Sequence, residues 1–217
     1  MNDICNMETI KAVITADVVN SSSLAKIRMN ALKRSIEQIL KNSEIRYSFY
    51  RGDSFNVVCE PDMALLTVCK LRTMAIQASD ESKDSFIDIR IAIGIGIVEE
   101  PFKEMSTAKG EAFILSGREM DQMEKDGPRL SIRCADPVID TGMAAIALFM
   151  DFILRKMTLR QARVINELLY GSTQVKVAGK LHKSQSTINK HANASHWKEL
   201  ERLMEVYQKL TSLISRR

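Results

Sequence analysis

Ile10–Val19, IKAVITADVV, is the stretch on which the reading of the fold turns. Its β-branched run, with almost no polar alternation, predicts a strand buried on both faces. Asp17 interrupts the run where the strand should end. Asn20 and Ser21–Ser23 follow as cap candidates for a helix from about Leu24 to Leu40, with Leu24, Ile27, Ala31, Leu32, Ile36, Ile39 and Leu40 on one face. Next, YSFY and SFNVVCE flank Arg51-Gly52-Asp53, the pattern of a β-hairpin with a glycine turn. Pro61 opens a second helix through Leu65, Val68, Leu71, Met74 and Ala75. A long strand over Phe86–Glu100, a helix over Ala112–Lys125 and a short strand over Leu130–Cys134 complete the series. The order β-α-β-β-α-β plus one further αβ unit predicts an α+β domain with a ferredoxin-like sheet.

Asp136-Pro137 breaks the chain, and an apolar helix from Val138 to about Met157 leads into an all-helical tail. The expected organisation is a sheet domain over 1–137, a connecting helix over 138–157 and a helix-turn-helix domain over 158–217. The 217 residues are enough for one or two domains with an ordinary core. At 45% hydrophobic and 27% charged, the composition excludes a disordered or fibrous chain. The net charge of +4 is segregated: residues 1–150 hold 18 basic and 22 acidic side chains, residues 151–217 hold 13 and 5. The basic tail is therefore where a polyanionic partner is expected.

The first residues, MNDICNMETIK, lack the pattern of a secretory signal. The longest apolar run, Gly142–Met150, ends at Asp151, well short of the roughly 20 residues of a membrane span. Cys5, Cys59, Cys69 and Cys134 are scattered without CxxC spacing, and three of them lie in apolar surroundings and read as reduced core residues of a cytoplasmic protein. His182, His191 and His196 all lie in the tail without acidic or cysteine companions, so neither a zinc site nor a histidine-based nucleophile set is expected.

Asp17 at a strand end and Asp53 in the hairpin turn belong to strands that pair in a split βαβ sheet, so the two carboxylates can converge. With a main-chain carbonyl they form a hard oxygen site suited to Mg²⁺ or Mn²⁺ and, through it, a nucleotide triphosphate. The plainer alternative makes Asp53 a turn residue and Asp17 a helix cap.

ITADVVNSSSL, YRGDSFNVV, IRIAIGIGIV and GEAFILSGREM resemble, in order and spacing, the class III nucleotidyl cyclase catalytic domain. They are closer still to the SatD-like family of bacterial proteins, whose similarity extends over nearly the whole chain. The resemblance implies that Asp17 and Asp53 are metal ligands and that Arg118 steadies transferring phosphoryl groups. Arg118 and Gly52 are then the candidates for nucleotide contact. A guanidinium fork suits phosphate oxygens; otherwise Arg118 is a solvated helix residue beside Glu119. Three positions depart from the cyclase pattern: Ile114 replaces the ribose-binding asparagine, Phe49 stands where a base-reading Lys or Glu is common, and Thr107 lies near the second base-reading position. Gly94 and Gly96 inside the long strand imply either a bound phosphate or a helix packed close on the sheet.

In the tail, Thr158 caps a helix carrying Leu159, Ala162, Ile165, Leu168 and Leu169 inward, and Gly171 ends it. A second helix follows Ser172-Thr173, and Ser184 caps a third over Gln185–Ala192. Ala178, Leu181 and Ile188 stand at helix-turn-helix spacing, although His182 occupies the usual glycine position and His191 a late apolar one. Ser184, Gln185, Ser186, Thr187, Asn189 and Lys190 would face DNA or RNA bases, with Lys180, Lys183 and Lys190 on phosphates. The alternative is a basic helical module for a protein partner. Trp197, Leu200, Leu203, Met204, Tyr207, Leu210 and Leu213 form a final apolar stripe, either core or dimer seam.

Three functions are compatible with these residues. The first is a cytoplasmic, homodimeric DNA-binding regulator whose cyclase-like domain senses a nucleotide or metal. The second is a two-metal nucleotidyl cyclase or nucleotide-joining enzyme, and the third a degenerate palm used for dimerisation. None calls for a membrane.

Overall fold

The computed structural model describes residues 7–41, 45–50, 52–79, 86–124 and 127–214; Cys5, Arg51 and Lys125 lie outside them. Five strands form one sheet: β1 (Met7–Val18), β2 (Arg46–Tyr50), β3 (Ser54–Cys59), β4 (Ile89–Glu100) and β5 (Leu130–Cys134), in the order β2-β3-β1-β4-β5. The first four are antiparallel to their neighbours, and β5 joins β4 in parallel. This is the ferredoxin-like arrangement expected from the β-α-β-β-α-β order, extended by one strand.

Two crossover helices, α1 (Lys26–Lys41) and α2 (Pro61–Gln77), cover one face of the sheet, where Ala12, Ile14, Ala16, Phe55, Val57, Ile91 and Ile93 join the main core. The opposite face carries α3 (Glu111–Gln122) over β4 and β1, with Val13, Val58, Val98 and Ala112 in a second small cluster. A Cβ on Gly94 would lie 2.3 Å from the Ala112 carbonyl oxygen and 2.6 Å from the Ser116 nitrogen. Of the two meanings open for the strand glycine, close helix–sheet packing is therefore realised at Gly94. On this face α3 leaves the Tyr50, Ser54 and Asn56 end of β2–β3 open, while Val58 at the other end is buried.

α4 (Pro137–Arg155) begins on an Asp136 cap whose carboxylate accepts from Val138 N and Ile139 N at 3.0 Å each. It is long and apolar enough, by length and composition, to cross a membrane, but its inner face, including Ile139, Met143, Ile146, Met150 and Leu154, belongs to the main core. The tail forms α5 (Leu159–Leu169), α6 (Gln174–Lys180), α7 (Gln185–Ala194) and α8 (Trp197–Ile214). Its caps are those the residues predict: Thr158 in a capping box with Gln161, Thr173 and Ser184 each bonded to the third helical nitrogen, and Gly171 at φ 76°.

The tail does not stand apart from the sheet. α5 and α8 both pack on α2, and Tyr207 donates its hydroxyl to the Pro61 carbonyl at 2.7 Å in the interior. Burial raises that phenol well above its ordinary range. α2 is thus enclosed on both sides, which explains why Thr67, Cys69, Arg72 and Thr73 are buried along with its expected apolar face.

Cys59, Cys69 and Cys134 are buried and free. Burial pushes their thiols up to about 12, 12 and 11. In a Cys5→Ser background, native protein is expected to react negligibly with a thiol reagent at pH 8, and three equivalents are expected to appear in denaturant.

Candidate functional site

β1 ends where the chain must turn out of the sheet. Asn20 takes a left-handed conformation (φ 56°), and Ser21–Ser23 make one 3-10 turn before α1. The β2–β3 turn passes beside this corner: Gly52 sits at φ 82°, and Val18 N donates to the Asp53 carbonyl at 3.2 Å. Asp17 stands opposite Ser54 of β3 and Arg90 of β4. The pairing of β1 with both strands therefore brings Asp17 and Asp53 to one sheet end. Together with residues 18–22, Arg90 and Arg129 they line a cavity of about 360 Å³.

Each carboxylate already has partners. Arg90 grips Asp17 with both arms of its guanidinium, Nε to Oδ1 at 3.1 Å and Nη2 to Oδ2 at 2.5 Å, and donates Nη1 to the Met123 carbonyl at 2.8 Å. The Asp17 hydrogen bonds hold the Arg90 guanidinium above its ordinary value. Asp53 accepts from Ser21 Oγ and, at 3.4 Å, from Ser54 Oγ. Arg129 donates Nη1 to the buried Asp88 at 2.9 Å, while its Nε is buried without a partner. Among the described residues no group of three His, Cys, Asp or Glu side chains is arranged to hold a metal.

A second, more open cavity of about 630 Å³ lies at the open end of β2–β3, between Thr15, Asp17, Tyr50, Ser54 and Asn56 and the inner side of α3. Asn56 Oδ1 is buried there without a hydrogen-bond partner. Arg118 is exposed on α3 and lines neither cavity. Gly52 shapes the turn but does not line them either. Phe49 points to the other face of the sheet, 5.3 Å from the Phe55 ring and under Lys33 Nζ; Ile114 and Thr107 are exposed. Arg90, the partner of Asp17, is a residue that sequence reasoning misses. A signal for it exists, because pairing β1 antiparallel to β4 sets an acid at the end of one strand against a base at the start of the other.

In the tail, His182 adopts φ 51° between α6 and α7, the left-handed turn that usually favours glycine. Val177, Ala178 and Ile188 are buried between the helices. Lys183, Gln185, Ser186, Asn189 and Lys190 are exposed, and Thr187 is half-buried. Ser184 is engaged as the α7 cap, Asn189 donates to Gln174 at 3.3 Å, and Lys180 pairs with Glu167 at 2.7 Å. Lys180 thus has an internal partner that Lys183 and Lys190 lack among the described residues.

No protein-family model matches the chain, and no curated protein is similar to it. Among solved structures it is similar to the guanylyl cyclase domain of the RhoGC fusion protein from the aquatic fungus Blastocladiella emersonii, with 20% identity over 59% of this chain and 83% of that one and a TM-score of 0.45. The catalytic core of a rhodopsin-guanylyl cyclase in complex with ATPalphaS is 18% identical over 55% and 76%, with a TM-score of 0.44. The adenylyl cyclase CyaB from P. aeruginosa is 12% identical over 59% and 78%, with a TM-score of 0.40.

Proposed function

We propose that this chain is a cytoplasmic regulator whose sheet domain binds a nucleotide polyphosphate with Mg²⁺ or Mn²⁺ and whose tail is a helix-turn-helix that binds DNA. The observation that carries the reading is the convergence of Asp17 and Asp53 on one cavity, lined also by residues 18–22, Arg90 and Arg129. The chemistry of the donors suits a hard divalent ion: two carboxylates, each with lone pairs beyond its present hydrogen bonds. Asp17 and Asp53 would hold the ion, which would supply the counter-charge a polyphosphate needs. Arg90 already neutralises Asp17, so an entering ion has to share that carboxylate or displace the guanidinium. Within a single chain Arg118 lies outside the cavity and Phe49 faces away from it.

The DNA reading rests on the +8 excess of residues 151–217 and on exposed Lys183, Gln185, Ser186, Asn189 and Lys190 clustered on one short helix and the turn before it. Thermal unfolding with Mn²⁺ and each ribonucleoside triphosphate tests the first half. A ligand at 100 times its dissociation constant adds about 2.7 kcal/mol, so the midpoint is expected to rise by several degrees in wild type and not in Asp53→Ala. The absence of any shift with every nucleotide and metal would sink the sensor. For the tail, Lys183→Ala/Lys190→Ala is expected to weaken duplex binding at least tenfold and to flatten the log–log salt dependence by about 2. An unchanged salt slope would remove α7 from the interface.

A second reading, nucleotidyl transfer, is favoured by one feature: Arg118 stands exposed on α3, where a second copy could use it. A product formed from a nucleoside triphosphate and Mn²⁺ by wild type, and lost in both Asp53→Ala and Arg118→Ala, would establish this reading.

A further inference from the structure

A guanidinium offers a side-on fork, Nε with Nη2, to a pair of oxygens on one centre. Arg72 fills that fork with Asp88, at 3.0 and 2.7 Å, and Arg90 fills it with Asp17, at 3.1 and 2.5 Å. Arg129 does not. Its Nη1 is bonded to Asp88 at 2.9 Å, its Nε is buried without a partner, and its Nη2 has none among the described residues. An unpaired N–H closed off from water costs free energy and is rare in folded proteins, so the fork calls for an acceptor.

The surroundings of Arg129 select that acceptor. The residue lines the cavity of about 360 Å³ at Asp17 and Asp53, so the acceptor comes from solvent. It is an anion. In the ion group around Asp88, the guanidiniums of Arg72, Arg129 and Arg155 meet only the two carboxylates of Asp88 and Asp151. The fork is also held ready for it: Asp88 is itself gripped twice by Arg72, and the Phe86 ring lies 5.4 Å from the Arg129 Cζ. Little side-chain freedom is therefore lost when an oxyanion binds. A polyphosphate has oxygens enough to meet both Arg129 and a cation at Asp17 and Asp53. A lone carboxylate meets one of them.

We propose that Arg129 is a phosphate-binding residue of this cavity, its Nε–Nη2 fork taking two oxygens of one phosphoryl group while Nη1 stays on Asp88. The guanidinium tilts to uncover Nε as the group arrives. This deepens the nucleotide reading and rests on it for the class of ligand. It places the phosphate contact on Arg129, whereas Arg118 lines neither cavity.

Inorganic triphosphate is the probe, because it carries the phosphate chain without base or ribose, and calorimetric titration of the full chain with and without Mn²⁺ is the measurement. Arg129→Gln is expected to weaken triphosphate binding roughly tenfold or more, the loss typical of a charge-assisted pair. Binding of Mn²⁺ alone, followed by the paramagnetic resonance of the free ion, is expected not to weaken. Arg129→Lys keeps the charge without the fork and is expected to recover only part of the affinity. Arg155→Gln takes a cation from the same ion group but does not line the cavity, and is expected to leave triphosphate affinity unchanged. Since Arg129→Gln also removes a bond from Asp88, its folding is checked by urea unfolding. A second readout needs no neutral variant: the Nε–H resonance of Arg129 in wild type, identified by its absence from Arg129→Lys, is expected to shift as triphosphate binds.

Equal triphosphate affinity in wild type and folded Arg129→Gln overturns the inference. So does an Arg129 resonance that stays in place at saturation, or a wild type that binds no triphosphate. Binding that needs Arg129 but neither Mn²⁺ nor Asp53 would keep the inference and remove the metal from the nucleotide reading. Binding that needs Mn²⁺ and Asp53 but ignores Arg129 would keep that reading and remove the inference.

Discussion

Arg72→Met is expected to lower the free energy of unfolding by about 3–5 kcal/mol, the cost typical of removing one partner from a buried ion group. Arg72 is fully buried on α2 and joins four parts of the chain. Its Nε and Nη2 donate to Asp88 at 3.0 and 2.7 Å, just before β4, and its Nη1 donates to Asp151 of α4 at 2.7 Å. Asp88 also accepts from Ile89 N and from Arg129, and Asp151 accepts from Arg129 N at 3.1 Å ahead of β5. Methionine fills much of the same volume, so the loss reports uncompensated carboxylates rather than a void. Arg72→Lys is expected to recover little, because an ammonium cannot fork across Asp88 and still reach Asp151. Arg72→Met/Asp151→Leu is expected to recover more, since one stranded charge is removed. Urea unfolding with an unchanged slope is the measurement; equal stability of wild type and Arg72→Met would mean that the group is not buried in solution.

The same cluster sets a pH dependence. Burial works to raise the Asp88 carboxyl, but Arg72 and Arg129 outweigh it and hold the group below the usual carboxylate range. A carboxyl depressed in the folded state contributes stability that is complete above its unfolded value, near 4, and is lost as pH falls through the lower folded value. Acid unfolding is therefore expected below about pH 4, with a smaller slope in Asp88→Asn.

This network also shows where the sequence stops being readable. Arg72 and Asp151 are 79 positions apart, and nothing local to either marks it as buried: Arg72 sits on a helix whose apolar positions predict only one covered face. The second cover, α5 and α8, comes from a tail that reads by itself as a separate helical module. What is legible is local. The β-branched run of β1, the glycine turn before Asp53, Pro61 at a helix start, and the Thr158, Thr173 and Ser184 caps each depend on neighbours within a few residues. The convergence of Asp17 with Asp53 follows from strand order. The engagement of Asp17 by Arg90 requires the register as well, since a one-residue slip would turn Arg90 to the other face. Arg118 matches a motif but not a position in the cavity, because a motif fixes a place along a helix and not what that helix faces. The apolar run of α4 reads as a connector, and only packing shows that half of it is uncovered.

Gly94→Val is expected to cost about 3 kcal/mol or more, at or above the upper end of ordinary overpacking. Gly94 pairs with Val13 of β1 and Arg133 of β5, in the middle of the sheet, directly beneath α3. The atoms its Cβ would meet at 2.3 and 2.6 Å are backbone atoms of α3, which cannot rotate aside as a side chain would. The helix has to lift. Lifting it breaks the bond from Thr15 Oγ1 to Ser116 Oγ at 3.0 Å and opens the Val13, Val58, Val98 and Ala112 cluster. It also removes Phe113, Gly117 and Met120 from the wall of the open-face cavity. Two other glycines give the controls. A methyl group added at Gly117 would meet nothing within 4 Å, and the residue lies within α3, so Gly117→Ala is expected to stabilise by about 0.5–1 kcal/mol. Gly52 has equal space but a φ of 82°, so Gly52→Ala is expected to cost about 1–2 kcal/mol through the backbone alone. Three glycine substitutions thus differ in sign and size for three separate physical reasons, and urea unfolding of the set reads them directly. Wild-type stability in Gly94→Val would mean that α3 is not seated on the sheet, and with it one wall of the open-face cavity would be gone.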